Sequence, residues 1–273
     1  MMRGRVLLAV RVLAFSTLLL GVANSAWSQE PPPPPDAALG AAAEDIVLEL
    51  GGGGLVGPAY EGADDYLISP LPFVRLHYLR LPHVGAFGGG PEAGLSIGPS
   101  FRFVPERDDD DYSELEGLGD VDAAFELGGT ISYRLDMWRG FATARHGFGG
   151  HDGIVGELGV DAIVEPTSRL TVSAGPRLHF ADSDYLDTYL GVTAAQSAAS
   201  GLSEFDPDGG LKGVGVEAEA RFALTPRWSI VGSAGYERLV GDAADSPITE
   251  AGSENQFTAA LGLTYRFGLD FFD

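Results

Sequence analysis

Cysteine is absent from all 273 residues. The chain therefore holds itself together without disulfides, and thiolate metal sites are excluded. Bases are scarce: 17 Lys and Arg stand against 39 Asp and Glu, for a formal charge of −22. A chain so acidic repels phosphate backbones, which excludes nucleic acid as a partner. Beyond the first residues no run of about 18 uninterrupted apolar residues occurs, so no helical membrane span is expected. Catalytic motifs are missing too. There is no HExxH and no GxSxG elbow around Ser246, and the glycine run Gly51–Gly54 is not followed by Lys-Ser/Thr. No catalytic residue, cofactor site or metal site is assigned.

What is present begins with an export signal. Arg3 and Arg5 precede a mostly apolar Val6–Val22, interrupted by Arg11, and Ala26-Trp27-Ser28 offers a small-residue cleavage site before Gln29. Residues 1–28 are read as a signal peptide. An uncleaved anchor fits less well because Arg11 breaks the run. No cysteine follows the site, so a lipoprotein anchor is excluded. Pro31–Pro35 marks residues 29–44 as a stiff proline-rich linker, and residues 45–273 as the folded domain.

That domain alternates. Phe257, Ala259, Leu261, Leu263, Tyr265 and Phe267 oppose Thr258, Ala260, Gly262, Thr264 and Arg266. A period of two gives a strand with one apolar and one polar face. The same pattern runs through Leu95–Phe103, Phe125–Leu135, Leu158–Val164, Leu170–Phe180 and Val214–Phe222. Soluble sandwiches alternate as well. Two features favour strands that cross a membrane: their length, about 10 to 13 residues against the usual five or six, and mid-strand charges of both signs on the polar face. Glu126, Glu157, Asp161, Arg134, Arg177 and Arg221 read as paired charges lining an interior. The fold class is all-β, an antiparallel transmembrane β-barrel of the outer membrane.

Connections alternate in length. Asp136-Met137, Pro166-Thr167-Ser168, Pro226-Arg227 and a glycine-rich corner at Gly88–Pro91 are short. Gly54–Asp65, Pro105–Val121, Asp182–Leu211 and Val240–Glu254 are long. Short periplasmic turns and long external loops are the barrel rule. Parity gives ten strands when Tyr66–Phe87 is one irregular strand. A hairpin inside Tyr185–Gln196 gives twelve as the alternative. The acidic run Asp108–Asp111 has the oxygen ligands a calcium ion favours but not the spacing of a calcium loop, and reads as a solvated loop. His146 and His151 in HGFGGHDG read as turn and surface residues.

Pro58-Ala-Tyr60-Glu-Gly62-Ala-Asp64-Asp65, followed by Pro70-Leu-Pro72, resembles the early signature of the MipA/OmpV family. Gly175-Pro176-Arg177, Tyr189–Thr193, Ser200-Gly201, Gly209–Leu211, Asp245-Ser246-Pro247-Ile248 and Gly262–Phe267 resemble later family segments in order and spacing. Gly262, Tyr265 and Phe267 also resemble the C-terminal signal of outer-membrane barrels, although six residues follow Phe267. These motifs carry turn chemistry: glycines supply backbone freedom, prolines fix φ at strand ends, and aspartates cap amides. The resemblance implies a non-enzymatic barrel in the outer membrane of a Gram-negative bacterium, contacting outer-membrane lipid and the barrel-assembly machinery. In the family's namesake it implies scaffolding of a murein-cleaving lytic transglycosylase and a murein synthase. Other members resemble narrow porin-like channels or surface adhesins.

Overall fold

A computed structural model describes residues 45–81, 85–88 and 94–270. The signal segment, the proline-rich linker through Glu44 and most of the Gly88–Pro91 corner lie outside these. Eleven strands form one sheet: β1 Ile46–Pro58, β2 Tyr66–Leu81, β3 Gly85–Gly88, β4 Gly94–Val104, β5 Ala124–Leu135, β6 Trp138–Gly149, β7 Ile154–Thr167, β8 Leu170–Ala181, β9 Gly210–Ala223, β10 Trp228–Leu239 and β11 Asn255–Leu269. Their order is β3-β2-β1-β11-β10-β9-β8-β7-β6-β5-β4, antiparallel throughout. The last strand pairs with the first, from Ile46 opposite Leu269 to Val56 opposite Ala259.

Tyr66–Phe87 is therefore not one strand. The chain reverses between Leu81 and Gly85, and β2 pairs with β3 from Tyr78 opposite Gly88 to Leu81 opposite Gly85. Antiparallel pairing around the whole sheet makes β3 and β4 run the same way. Eleven strands thus make ten traversals. Among the described residues no strand pairs with Tyr66–His77 on the side away from β1, or with β4 on the side away from β5. The sheet is curled but open. Pro70 and Pro72 do not mark strand ends. They lie inside β2, opposite Gly54 and Gly52, in a strand that has no partner on its other side there among the described residues.

Curling follows from contacts across the concave face. Arg75 on β2 reaches Glu219 on β9 at 3.3 Å, past the three intervening strands. Alternation puts apolar side chains on the convex face, where Leu95 and Leu261 are 63% and 64% exposed. Polar partners face inward: Glu126 and Asp161 are fully buried. Glycines permit close strand approach. A Cβ at Gly53 would meet the Leu261 carbonyl oxygen at 2.1 Å, so this part of the glycine run is a packing requirement.

All long connections emerge at one end: residues 59–65, 105–123, 182–209 and 240–254, with the tight turn 150–153. The short turns 136–137, 168–169 and 224–227 lie at the other. The twelve-strand alternative fails here. Tyr185–Gln196 holds α1 Ser183–Leu190 and the start of α2 Ala194–Ser200, not a hairpin. Asp182 caps α1 by accepting the Tyr185 amide, and Thr193 with Gln196 forms a capping box on α2. Residues 240–254 form α3 Asp242–Asp245 and α4 Pro247–Ala251.

Candidate functional site: the concave face and its loop cap

The concave face is a series of ion pairs. Glu49 on β1 accepts from Arg221 on β9 and lies 2.6 Å from His77 Nε2 on β2. Arg177 on β8 meets Asp161 at 2.8 Å and Glu157 at 3.2 Å on β7, and Glu217 at 3.4 Å on β9. Its guanidinium also lies 4.9 Å from the Phe141 ring centre. Arg139 closes on Asp161 at 2.6 Å. Nearer the loops, Glu126 takes Arg102 on one oxygen at 2.5 Å and Arg145 on the other at 2.9 Å. Of the charged residues expected to line the interior, Glu126, Glu157, Asp161, Arg177 and Arg221 join these pairs. Arg134 lies at the turn end, 4.0 Å from Glu165. Buried carboxylates held this way cost several kcal/mol each to desolvate and persist only when fully paired.

Above this face the loops build a second core. Leu115, Leu118, Tyr185, Leu186, Tyr189, Leu190, Val192, Leu239, Ala243 and Ile248 are buried together, with Tyr60 and Ala63. Polar groups lock it. Ser246 Oγ donates to the Leu190 carbonyl at 2.6 Å and accepts from the Ile248 amide. Thr249 Oγ1 donates to the Ala243 carbonyl, and Gln196 Nε2 to the Leu118 carbonyl. Arg107 donates to the Tyr189 carbonyl at 2.8 Å. The core docks on the sheet through Glu61, which accepts from Lys212 on β9 at 2.6 Å and from Tyr185 Oη at 2.5 Å. Burial pushes the Glu61 carboxyl up, but Lys212 and Tyr185 outweigh it and hold it below the usual range. Burial pushes Tyr189 up to about 12 and lowers Arg107. Tyr189 Oη and Arg107 Nε are buried without hydrogen-bond partners among the described residues, so the cap closes at a polar cost.

The residues singled out by the family resemblance are spread over three places. Pro58 ends β1; Tyr60, buried, donates to Glu114 at 2.9 Å. Gly62 has φ +91, its carbonyl accepts the Ser253 amide, and a Cβ would meet Thr249 Oγ1 at 2.9 Å. Asp64 is exposed, and its carboxylate clusters with those of Asp65 and Glu114 within 4.8 Å. Gly201 ends α2 in the left-handed region, and Asp245, Ser246 and Pro247 link α3 to α4. The loops thus bring Tyr60, Gly62 and Ser246 into or against one cap. Gly175 and Pro176 lie in β8, where a Cβ on Gly175 would meet the Val160 carbonyl at 1.7 Å. Gly262 lies under the Phe73 ring, and Tyr265 packs edge-on against Trp228 at 4.8 Å and lies 6.1 Å from Phe267. The acidic run forms a short 3-10 turn in which the Asp109 carboxylate accepts the Gly117 and Gly119 amides.

His151 is not a surface residue: it is 3% exposed, under the Tyr185 and Tyr189 rings. His146 points outward from β6. Arg102, on the polar face of its strand by alternation, does face inward, whereas nothing in the sequence reading singled out Arg107, Arg145, Lys212 or Tyr185. Period two marks Arg102 and Arg145 as inward, but nothing local marks Lys212, whose orientation follows a register irregularity where β8 passes from His179 to Phe180.

The MltA-interacting protein MipA family matches residues 50–267. The putative outer membrane protein YiaT of Escherichia coli K12 is 25% identical over 162 residues, 59% of this chain and 63% of that one. The MltA-interacting protein of the same strain is 30% identical over 98 residues, 36% of this chain and 38% of its own length. The chain thus spans less than two thirds of these relatives. Among solved structures, the translocator domain of the autotransporter NalP from Neisseria meningitidis covers 85% of this chain and 91% of its own at 9% identity, with a TM-score of 0.41. The chain belongs to the MipA family and is a β-sheet protein of the outer membrane.

Proposed function

We propose that this protein is a non-enzymatic outer-membrane scaffold for proteins that cleave and synthesise murein. Export by residues 1–28, a proline-rich spacer over 29–44 and a barrel closed by β2 against β4 complete that reading. Lipid chemistry supports the closure, because unpaired strand edges in hydrocarbon leave backbone groups unsatisfied. The carrying observation is the ion-paired concave face beneath a packed cap. Its charged groups are committed to one another rather than poised toward a substrate. The family motifs are architectural in this reading: Tyr60, Gly62 and Ser246 build the cap. One relative bears the name MltA-interacting protein, which points to a lytic transglycosylase as a partner class. Docking then falls to the short turns at 136–137, 168–169 and 224–227. The ordered acidic outer loops favour a second reading, a surface adhesin.

Photo-cross-linkers placed at Ser168 and Thr225 in intact cells test the scaffold. The expected result is capture of a murein-cleaving or murein-synthesising enzyme. Stable ion-selective currents in a planar bilayer that change in Arg177→Ala, with no murein enzyme captured, overturn it in favour of a channel.

A further inference from the structure

We propose that His151 is an acid-released latch, holding the loop cap shut over the concave face while neutral and freeing it when protonated. The ring's two nitrogens face different groups. The Gly153 amide donates to His151 Nδ1 at 3.2 Å. A backbone N–H is always a donor, so Nδ1 must be bare and the proton of the neutral ring sits on Nε2. Nε2 faces Glu126 Oε1 on β5 at 3.5 Å, a long contact. A second proton has only Nδ1 to go to, and there it meets the Gly153 N–H head-on.

The ring cannot turn away to avoid this. A Cβ on Gly147 would sit 2.1 Å from His151 Cε1, and the Tyr185 and Tyr189 rings stand edge-on at 5.0 and 5.5 Å. The turn the ring would disturb is the one that seats α1. Asp182 caps α1 with Oδ1 and accepts the Ile154 amide with Oδ2. A Cβ on Gly153 would meet the Tyr185 amide nitrogen at 2.4 Å. Losing the Gly153 bond thus loosens the turn against which α1 packs, and with it the cap.

Charges from every neighbouring element bear on the ring. Arg102 of β4 opposes its protonation; Glu126 of β5 and Asp182 before α1 favour it. Arg145 of β6 and Arg102 already occupy both Glu126 oxygens, which weakens that carboxylate's pull. Burial is the largest influence and lowers the His151 pKa below its ordinary value. The sign follows. A histidine harder to protonate in the closed state than in the open one contributes full stability above its open-state value, about 6.5. That contribution is lost as pH falls below it. Asp108 and Asp187 have carboxyls raised by burial and neighbouring acids. Their protonation acts in the opposite direction.

The test is amide hydrogen exchange on the full-length protein folded in lipid vesicles, at pH 7.5, 6.5 and 5.5, corrected for intrinsic rates. In the parent, protection of α1 and Gly153 should fall by at least about threefold across that range, while β5 and β6 stay protected. His151→Asn keeps a side-chain oxygen near the Nδ1 position and does not titrate, so its α1 protection should be flat. A flat parent, or an equal fall in His151→Asn, overturns the latch. Carbon-13 NMR of the His151 ring in the parent supplies a reading that does not depend on the variant folding. Its titration midpoint should coincide with the loss of α1 protection, and a midpoint far from it also overturns the proposal.

Discussion

The sheet wall and the loop cap are folded from one chain under opposite rules. In the wall, leucines face outward and charges inward: Leu261 is 64% exposed, while Glu126 and Asp161 are fully buried. In the cap, Leu115 and Leu190 are fully buried and the acids lie largely on the surface. The solvent makes the difference. The wall borrows lipid as its apolar phase, so it needs no apolar core of its own and can fill its inside with ion pairs. The cap stands in water and must bury its own apolar groups. Apolar patterning therefore reports the neighbouring phase, not the inside of the protein.

Three substitutions sharpen the contrast. The largest effect is expected for Leu261→Arg, about 3 kcal/mol for a charge placed mid-wall against lipid. Its readout is loss of the folded, heat-modifiable form from the outer membrane. Leu261→Ala should keep that form, and an equal loss in both would mean this face does not meet lipid. Next comes Leu190→Ala, about 2 to 3 kcal/mol from a fully buried cap position. Here the barrel should still assemble, and the loss should appear as faster proteolysis within residues 182–209. Failure to assemble would make wall and cap one cooperative unit. The smallest is Ser246→Ala, about 1 kcal/mol, because Oγ both donates to Leu190 and accepts from Ile248. Its readout is a modest rise in exchange of the Ile248 amide; no change there would remove Ser246 from the cap's supports.

Wall and cap also differed in how far the sequence disclosed them. Period-two alternation marked the faces of β4, β5, β7, β8, β9 and β11, because one side of each meets lipid. It did not reach Tyr66–Phe87, where parity alone made one irregular strand of what the structure divides into β2 and β3. It was also silent on room inside: Thr264 faces inward as expected but is 2% exposed, with Oγ1 donating to the Ser229 carbonyl. The cap was partly legible. Tyr185, Leu186, Tyr189 and Leu190 carry helical spacing, and Thr193 with Gln196 spells a capping box. A strand count made the hairpin an open alternative there. His151 was not legible, because its burial depends on α1, which arrives more than thirty residues later. Nor was the Glu61–Lys212 pair, which joins positions 151 residues apart.

The pairing of β1 with β11 carries a consequence for assembly in time. Strands β4 to β11 can join as successive neighbours, each closing only the connection between them. β1 cannot join the sheet on that side until β11 exists, and β11 is the last of the described strands in chain order. The loop to be closed is nearly the whole domain, the entropically slowest kind of contact. The N-terminal piece β1–β3 must therefore wait, exposed, while the rest forms. Gly51 and Gly53 add to the demand, since their strand must slide into a contact too tight for a side chain. A chain built this way reaches its final form only once β11 has joined β1, and depends on whatever shelters β1–β3 during the wait.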